Sequence, residues 1–260
     1  GYEELYDVME KQEPSLDVRD WEETTKSNIS LKKWQQEYEC AFLGTGETFI
    51  EGSILQNLHE QVKEDYYIKY NNRMRVWDDP QPYYDYVISV DVSLGRERDY
   101  SAFHIINMYN GEQVAEFYSN RTPINEFAEI IAREGKLYNN AYAIIERNTI
   151  GNNLLDWLFN ILEYENIWTD EKGEMGFQTN NKNREILLAE LEEALRTKML
   201  QINSKRTVEE LLTFIFTETG RIEADSGKHD DLIFALSLGV HGLTQILNTT
   251  PLEYSKISHK

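Results

Sequence analysis

Between Tyr86 and Asp99 the chain reads YVISVDVSLGRERD, and this stretch limits the possible folds more than any other. Val87, Ile88, Val90 and Val92 make an apolar, β-branched run that belongs in a buried strand. Asp91 interrupts it. A carboxylate there is costly unless it is paired, protonated or holding a cation. On its own it also reads as a strand-end acid hydrogen-bonded to a neighbouring loop. Two further acidic positions stand in similarly odd company, at Glu146 and at Asp230-Asp231.

The elements around the strand give it a setting. Strands are expected over about Tyr84–Val92, Ser101–Met108 and Gln113–Ser119, with Asn110-Gly111 as the hairpin signal between the last two. Thr122-Pro123 supplies a cap and an N1 proline for a helix whose apolar side is Phe127, Ile130, Ile131, Leu137 and Tyr138. A fourth strand over Ala141–Ile145 ends at Glu146. Next come a helix from Asn152 to Glu163, facing inward with Leu154, Leu155, Leu158, Ile161 and Leu162, and an amphipathic helix over Asn183–Met199. A strand at Leu200–Asn203, a helix at Val208–Phe216, an extended stretch at Thr219–Ala224 and a last helix from Asp230 to about Leu243 complete the order. Three antiparallel strands followed by alternating helices and strands make an α/β fold with a mixed sheet, its first strand central. Ligands of such sheets gather beyond strand ends.

Before this core the chain is acidic and scattered with aromatics. A helix is expected from an N-cap at Ser30, through Leu31, Trp34, Tyr38 and Phe42, to Gly44. A second short helix fits Ile54–Val62, and the Asp78–Pro82 breaker marks the start of the main fold. The division expected is therefore 1–82 as a helical and linker extension, 83–247 as the main domain and 248–260 as a tail. The first residue is Gly, so an excised piece of a longer protein is expected.

Of 260 residues, 46 are acidic and 26 basic, a net charge of −20. Duplex binding draws its affinity from Lys and Arg contacts to phosphate, so this chain alone is expected to hold DNA weakly. The acids concentrate in the first eighty residues, and an acidic metal site brings its own cations. One cysteine, Cys40, excludes an internal disulfide and a Cys-based zinc cage. No apolar run reaches membrane-spanning length and no signal-peptide pattern opens the chain.

Glu146 sits where AIIERNTIGNN passes from a buried strand into an Asn-rich turn; the alternative is a structural acid bonded to Arg147 or Asn148. Asp230-Asp231 opens a helix in GKHDDLIFAL, where one Asp serves as N-cap and suits the positive helix end. A second adjacent Asp is more than a cap requires. Hard oxygen donors without a Cys or His cluster select Mg²⁺ or Mn²⁺ over zinc. Two such ions about 3.5–4 Å apart clamp the attacking and leaving oxygens of a phosphodiester displacement. Asp91 would bridge both ions, with Glu146 on one and the Asp pair on the other. Carboxylates this close repel, so raised pKa values are expected.

The three motifs VISVDVSLGRERDYSA, AIIERNTIGNN and GKHDDLIFAL, in this order and spacing, resemble the nuclease domain of the large terminase subunit of tailed bacteriophages, near its T4-like branch. WQQEYECAFLGTGETFIEG, Trp34–Gly52, resembles the segment joining that nuclease to the packaging ATPase, and the likeness covers about residues 30–245. It implies a ribonuclease H-like mixed sheet flanked by helices, and a metal-dependent endonuclease cutting concatemeric viral DNA with two Mg²⁺ or Mn²⁺ ions. Asp91, Glu146, Asp230 and Asp231 carry over as metal ligands, with Asp91, Glu146 and Asp231 catalytic; Gly95 and Asp99 match the loop after the first acid. Double-stranded DNA, an upstream ATPase domain, the portal and the small terminase subunit follow as partners, and the host cytoplasm as the place of action. No G-x-x-x-x-G-K-[ST] phosphate loop occurs here, so this piece carries no such ATPase site.

Motif matching favours Asp231 as the direct ligand of the pair. Leu232, Ile233, Leu236, Val240 and Leu243 mark the buried helix face, with Asp230 nearer its edge. Arg96, Arg98, Lys182, Arg184 and Lys228 are the bases nearest the motifs; they are candidates for DNA phosphates, against ordinary solvated charge. His229 is a candidate for contacting the scissile phosphate, against a turn-stabilising role, and His104 reads as an ordinary strand residue. Two other functions stay open: a junction or RNA–DNA hybrid nuclease on the same fold, and a DNA-gripping or docking module of a packaging motor with structural acids. The negative charge favours docking to basic protein partners.

Overall fold

A computed structural model describes residues 48–93 and 100–249. The helix expected at Ser30–Gly44, Cys40, most of the Trp34–Gly52 segment, the Leu94–Asp99 loop with Gly95, Arg96 and Arg98, and the tail from 250 onward lie outside the described residues.

The larger unit comprises residues 61–210 and 229 onward. Its sheet has six strands: β1 (Tyr67–Lys69), β2 (Met74–Val76), β3 (Tyr86–Asp91), β4 (Ser101–Asn107), β5 (Glu112–Ser119) and β6 (Tyr142–Ile145). Their spatial order is β1-β2-β5-β4-β3-β6. All pairs are antiparallel except β3 and β6, which run parallel from Val87↔Tyr142 to Val90↔Ile145. A parallel pair needs a crossover. Here it is helix α2 (Ile124–Leu137).

β1 and β2 lie in the stretch expected to be linker, yet β2 pairs with β5 and so belongs to the same sheet. They are joined by a turn through Tyr70, Asn71 and Asn72, all at positive φ, where Asn is the least strained residue after Gly. The β4–β5 connection is the hairpin expected around Asn110-Gly111, four residues long, and Asn107 Oδ1 accepts the N–H of Tyr109 within it. Thr122 does not cap α2. Its hydroxyl donates to Ser119 and accepts from Arg73, and Pro123 takes the cap position.

One sheet face is apolar. Ile88, Val90, Phe103, Ile105, Ala115 and Phe117 meet Phe127, Ala128 and Ile131 of α2 and Leu154 and Leu158 beyond β6. The Phe103 and Phe117 rings stack at 5.1 Å, and Phe127 lies tilted against Phe117 at the same distance. Each such side chain contributes about 1.5–3 kcal/mol on burial. Leu137 and Ile161, expected inside, are exposed. The helix after β6 is α3 (Thr149–Asp156), which widens into a π-helical turn over Trp157–Ile161.

The opposite face is mixed in polarity. Helix α4 (Asn181–Arg196), helix α5 (Lys205–Leu212) and helix α6 (Asp231–Thr249) follow in the chain, and α6 packs on β3, β4 and α4. α6 lies close to the sheet because Gly239 and Gly242 face it; a Cβ on Gly242 would stand 1.9 Å from Ile144 Cδ1. Between sheet and helices lies a buried polar layer. His104 Nε2 bonds the Leu232 carbonyl at 2.9 Å and its Nδ1 meets Gln113 at 2.7 Å. Glu116 is bound by Arg206 Nε at 2.8 Å and by the Thr207 hydroxyl at 2.6 Å. Leu200–Asn203 forms only a single bridge, Gln201 with Glu112, instead of a strand.

The smaller unit, whose described residues are 48–60 and 211–228, has its own core. It holds most of helix α1 (Gly52–Gln61) and an antiparallel hairpin of β7 (Phe214–Phe216) with β8 (Ile222–Ala224). The helix expected through Phe216 thus ends at Leu212, and the chain turns into a strand. Phe49 packs edge-on against Phe214 at 5.8 Å, and Ile50, Leu55 and Leu58 are buried.

Candidate active site

Asp91 is the last residue of β3, and Glu146 follows the last residue of β6. The parallel register ends at Val90↔Ile145, and Glu146 N–H donates to the Val90 carbonyl at 3.0 Å, so the two acids leave adjacent strands side by side. Side chains alternate along a strand. Asp91 shares its face with Ser89, and Glu146 with Ile144, and these two residues meet α6 at Gly239 and Gly242. The acids therefore face the side on which α6 begins. The carboxyl groups of Asp91 and Glu146 are in hydrogen-bond contact.

Asp231 opens α6, and its Oδ1 accepts the N–H of Tyr100 at 3.3 Å. It comes near enough to act on Asp91. Burial first, then the charges of Glu146, Asp231 and Asp230 in falling order, hold the Asp91 carboxyl well above the usual carboxylate range. Of the pair, Asp231 thus acts on Asp91 more strongly than Asp230, whose Oδ2 instead lies 3.9 Å from Arg184 Nη2. The Leu232 N–H, in the first turn of α6, is taken by Glu210 Oε2 at 3.0 Å, from α5.

Glu146 is oriented by Asn148. The amide Nδ2 donates to Glu146 Oε2 at 2.7 Å, while Oδ1 caps α3 by accepting from the N–H groups of Ile150 and Gly151. Arg147 turns away to Asp170 and Glu174. Gly151 rides directly over the strand end: a Cβ there would lie 1.8 Å from the Glu146 carbonyl oxygen.

The other expected residues divide. Arg184 reaches the site through Asp230 and covers the Phe234 ring at 4.7 Å. His229 Nδ1 stands 3.6 Å from Asp231 Oδ2, and its ring meets Tyr100 edge-on at 4.9 Å. Lys182 is exposed at the start of α4. Lys228 falls in the smaller unit, where its N–H donates to the Asp225 carbonyl. Glu210 is a site acid that sequence reading misses. Burial first, then Asp231, pushes its carboxyl up to about 8, against hydrogen bonds from Tyr118 and Leu232 that pull it down.

Among the described residues no three His, Cys, Asp or Glu side chains form a ready-made metal cage. The donor chemistry nonetheless fits a hard divalent cation. Asp91, Glu146 and Asp231 offer only carboxylate oxygens, and a divalent cation held by them would offset the repulsion that keeps the Asp91 carboxyl shifted upward.

No family model matches the sequence. Solved structures do match the fold. The large terminase nuclease from thermophilic phage G20c with bound magnesium superimposes with a TM-score of 0.62 at 18% identity, covering 76% of this chain and 98% of that one. The same nuclease with bound cobalt gives 0.58 at 18% identity, covering 72% and 96%. The large terminase nuclease domain of Thermus phage P74-26 gives 0.56 at 18% identity, covering 72% and 93%. The chain has the ribonuclease H-like fold of the large terminase nucleases. At this identity the likeness is one of fold. It sets the acids of β3, β6 and α6 within an architecture that in G20c has been solved with magnesium and with cobalt.

Proposed function

We propose that this chain is the nuclease domain of a phage large terminase of the T4-like branch, a metal-dependent endonuclease that cuts concatemeric double-stranded viral DNA during packaging. One observation carries the reading. Asp91 and Glu146 come from strands far apart in sequence, yet emerge side by side facing the start of α6, where Asp231 bears on Asp91 electrostatically.

In this reading Asp91, Glu146 and Asp231, with Asp230 beside them, hold two Mg²⁺ or Mn²⁺ ions. Such ions neutralise charge building up on the phosphate and ease deprotonation of the attacking water. Asn148 fixes Glu146, and Tyr100 fixes Asp231. Arg184 and His229 flank the acids, where they would meet a DNA backbone and set its position without reading its sequence. Lys182, Lys228 and Arg96 are further candidates for phosphate contact. The packaging setting implies an upstream ATPase domain in the same polypeptide, the portal and small terminase subunit as partners, and the host cytoplasm as location. Among the described residues no helix is long and apolar enough to cross a membrane.

Asp91→Ala is expected to abolish plasmid nicking in Mg²⁺ or Mn²⁺ while circular dichroism and melting stay native-like. Full activity in that variant would sink the assignment. Linear duplex, a four-way junction and an RNA–DNA hybrid compared side by side separate the terminase reading from a junction or hybrid nuclease. A second reading, a docking or gripping module with structural acids, draws on the net charge of −20 and on the lack of a closed cage among the described residues. Calorimetry decides it: no Mn²⁺ binding and no cleavage under any condition would favour docking.

A further inference from the structure

Glu210 lies on the sheet-facing side of α5 and is 9% exposed, at a position where an amphipathic helix ordinarily takes Leu or Val. Burying a carboxylate is costly, and Asp231 nearby raises the cost. What it does there is visible in its contacts. Its Oε2 accepts the N–H of Leu232, the second residue of α6, at 3.0 Å. That amide is one a helix normally satisfies with the side chain of its own N-cap. Here another helix supplies the acceptor.

A second line of contact leads to the same place. Glu210 is hydrogen-bonded to Tyr118 of β5. The Tyr118 ring stacks on Tyr100 with centroids 4.1 Å apart and planes 3° from parallel. Tyr100 in turn donates its backbone N–H to Asp231 Oδ1. Asp231 is therefore held twice, by its helix and by its own carboxylate, and both attachments run back to Glu210.

We propose that Glu210 is a positioning residue for the acid cluster, bracing the first turn of α6 and the Tyr118–Tyr100 stack so that Asp231 is presented to Asp91 and Glu146. Its consequence for cleavage rests on the metal-nuclease reading; its consequence for α6 does not. Three variants of the chain test it. Glu210→Ala removes the acceptor, Glu210→Asp pulls it back by one methylene, and Glu210→Gln keeps an oxygen in reach of the Leu232 N–H. Hydrogen exchange at the Leu232 amide is expected to speed up at least tenfold in the Ala and Asp variants and to stay near the parent rate in the Gln variant. The Mn²⁺ concentration for half-maximal nicking should follow the same order, rising roughly tenfold in the first two, the low end for loss of a group that orients a metal ligand. A merely structural role would lower the melting temperature of Glu210→Ala while leaving the Mn²⁺ midpoint in place, and that result overturns the proposal. So does unchanged Leu232 exchange in the Ala or Asp variant, or a Gln variant as damaged as Ala. If the parent chain shows no Mn²⁺-dependent nicking, the nuclease reading fails, and exchange at Leu232 still decides the role of Glu210. If Ala does not fold, Asp against Gln carries the comparison.

Discussion

Asn148 performs two tasks with the two ends of one amide, capping α3 with its oxygen and holding Glu146 with its nitrogen. Substitutions can separate them. Asn148→Ala loses both, and the lost cap alone is expected to cost about 1 kcal/mol, read as a lower urea midpoint. Asn148→Asp keeps a good cap but puts a second acceptor where Glu146 needs a donor. Its stability should stay close to the parent, while cleavage in Mn²⁺ falls roughly tenfold or more, as when the partner of a metal ligand is lost. Equal activity of parent and Asn148→Asp would show that Glu146 does not depend on this contact. Sequence alone named Asn148 only as a possible partner of a structural Glu146, with no capping role beside it. It does both, a result that only the side-chain directions reveal. Asp91, Glu146 and the Asp pair were legible for a simpler reason: each sits beside an apolar run where a charge is out of place. Glu210 gave no such signal, because VEELL on an amphipathic helix places acids on the solvent side by default, and packing turned this one inward.

At the level of elements, β3 to β6, β8 and the helices α1, α2, α3, α4 and α6 all fall where strands, an extended stretch or helices are expected, with ends shifted by a few residues. β1 and β2 have three residues each, too few for alternation to register, and only pairing with β5 makes them strands. The helix expected through Phe216 failed at Phe-Ile-Phe, whose aromatic and β-branched side chains suit the hairpin with Ile222–Ala224. Element contacts also yield a prediction near the acids. The first turn of α3 lies against the end of β6 with no room for a methyl group at Gly151. Gly151→Ala should gain up to about 1 kcal/mol of helix propensity, yet the clash is with a backbone carbonyl that cannot swing aside. Overpacking of this kind costs about 1–3 kcal/mol, so a net loss of stability is expected. Because the carbonyl in the clash belongs to Glu146, strain there reaches the acid itself and cleavage should fall with stability. A variant as stable and active as the parent would mean that α3 shifts freely over the strand end.

For the molecule as a whole, the two sheet faces answer to different forces: an apolar face held by burial, and a polar layer whose protonation is coupled to folding. His104 is buried in that layer between Gln113 and the Leu232 carbonyl. Burial holds its pKa below the ordinary 6.5; Glu116 and the Leu232 carbonyl work in the opposite direction, and Arg206 adds to the lowering. The folded chain therefore keeps this imidazole neutral at pH values where the unfolded chain protonates it. Between 6.5 and the lower folded value the unfolded state binds the extra proton, so the His104 share of stability must rise with pH there and fall on acidification. Glu116 has the opposite kind of shift in a different window. Burial pushes its carboxyl up, but Arg206, His104, Ser204 and Thr207 outweigh that and bring it below 4.5, so its contribution is lost only on further acidification. Glu210, pushed up to about 8, and Asp91, held above the usual carboxylate range, take up protons in the folded state over the same window and act in the opposite direction. The His104 share, with a limiting slope of about 1.4 kcal/mol per pH unit below about 6.5, is therefore read as the difference between parent and His104→Gln in urea denaturation from pH 7.5 to 5. His104→Gln removes the titrating group while keeping a polar side chain against Gln113. That variant should start lower at pH 7.5 and lose less on acidification, so the two curves converge. Parallel curves across the range would place the acid sensitivity elsewhere and leave the polar layer without a part in it.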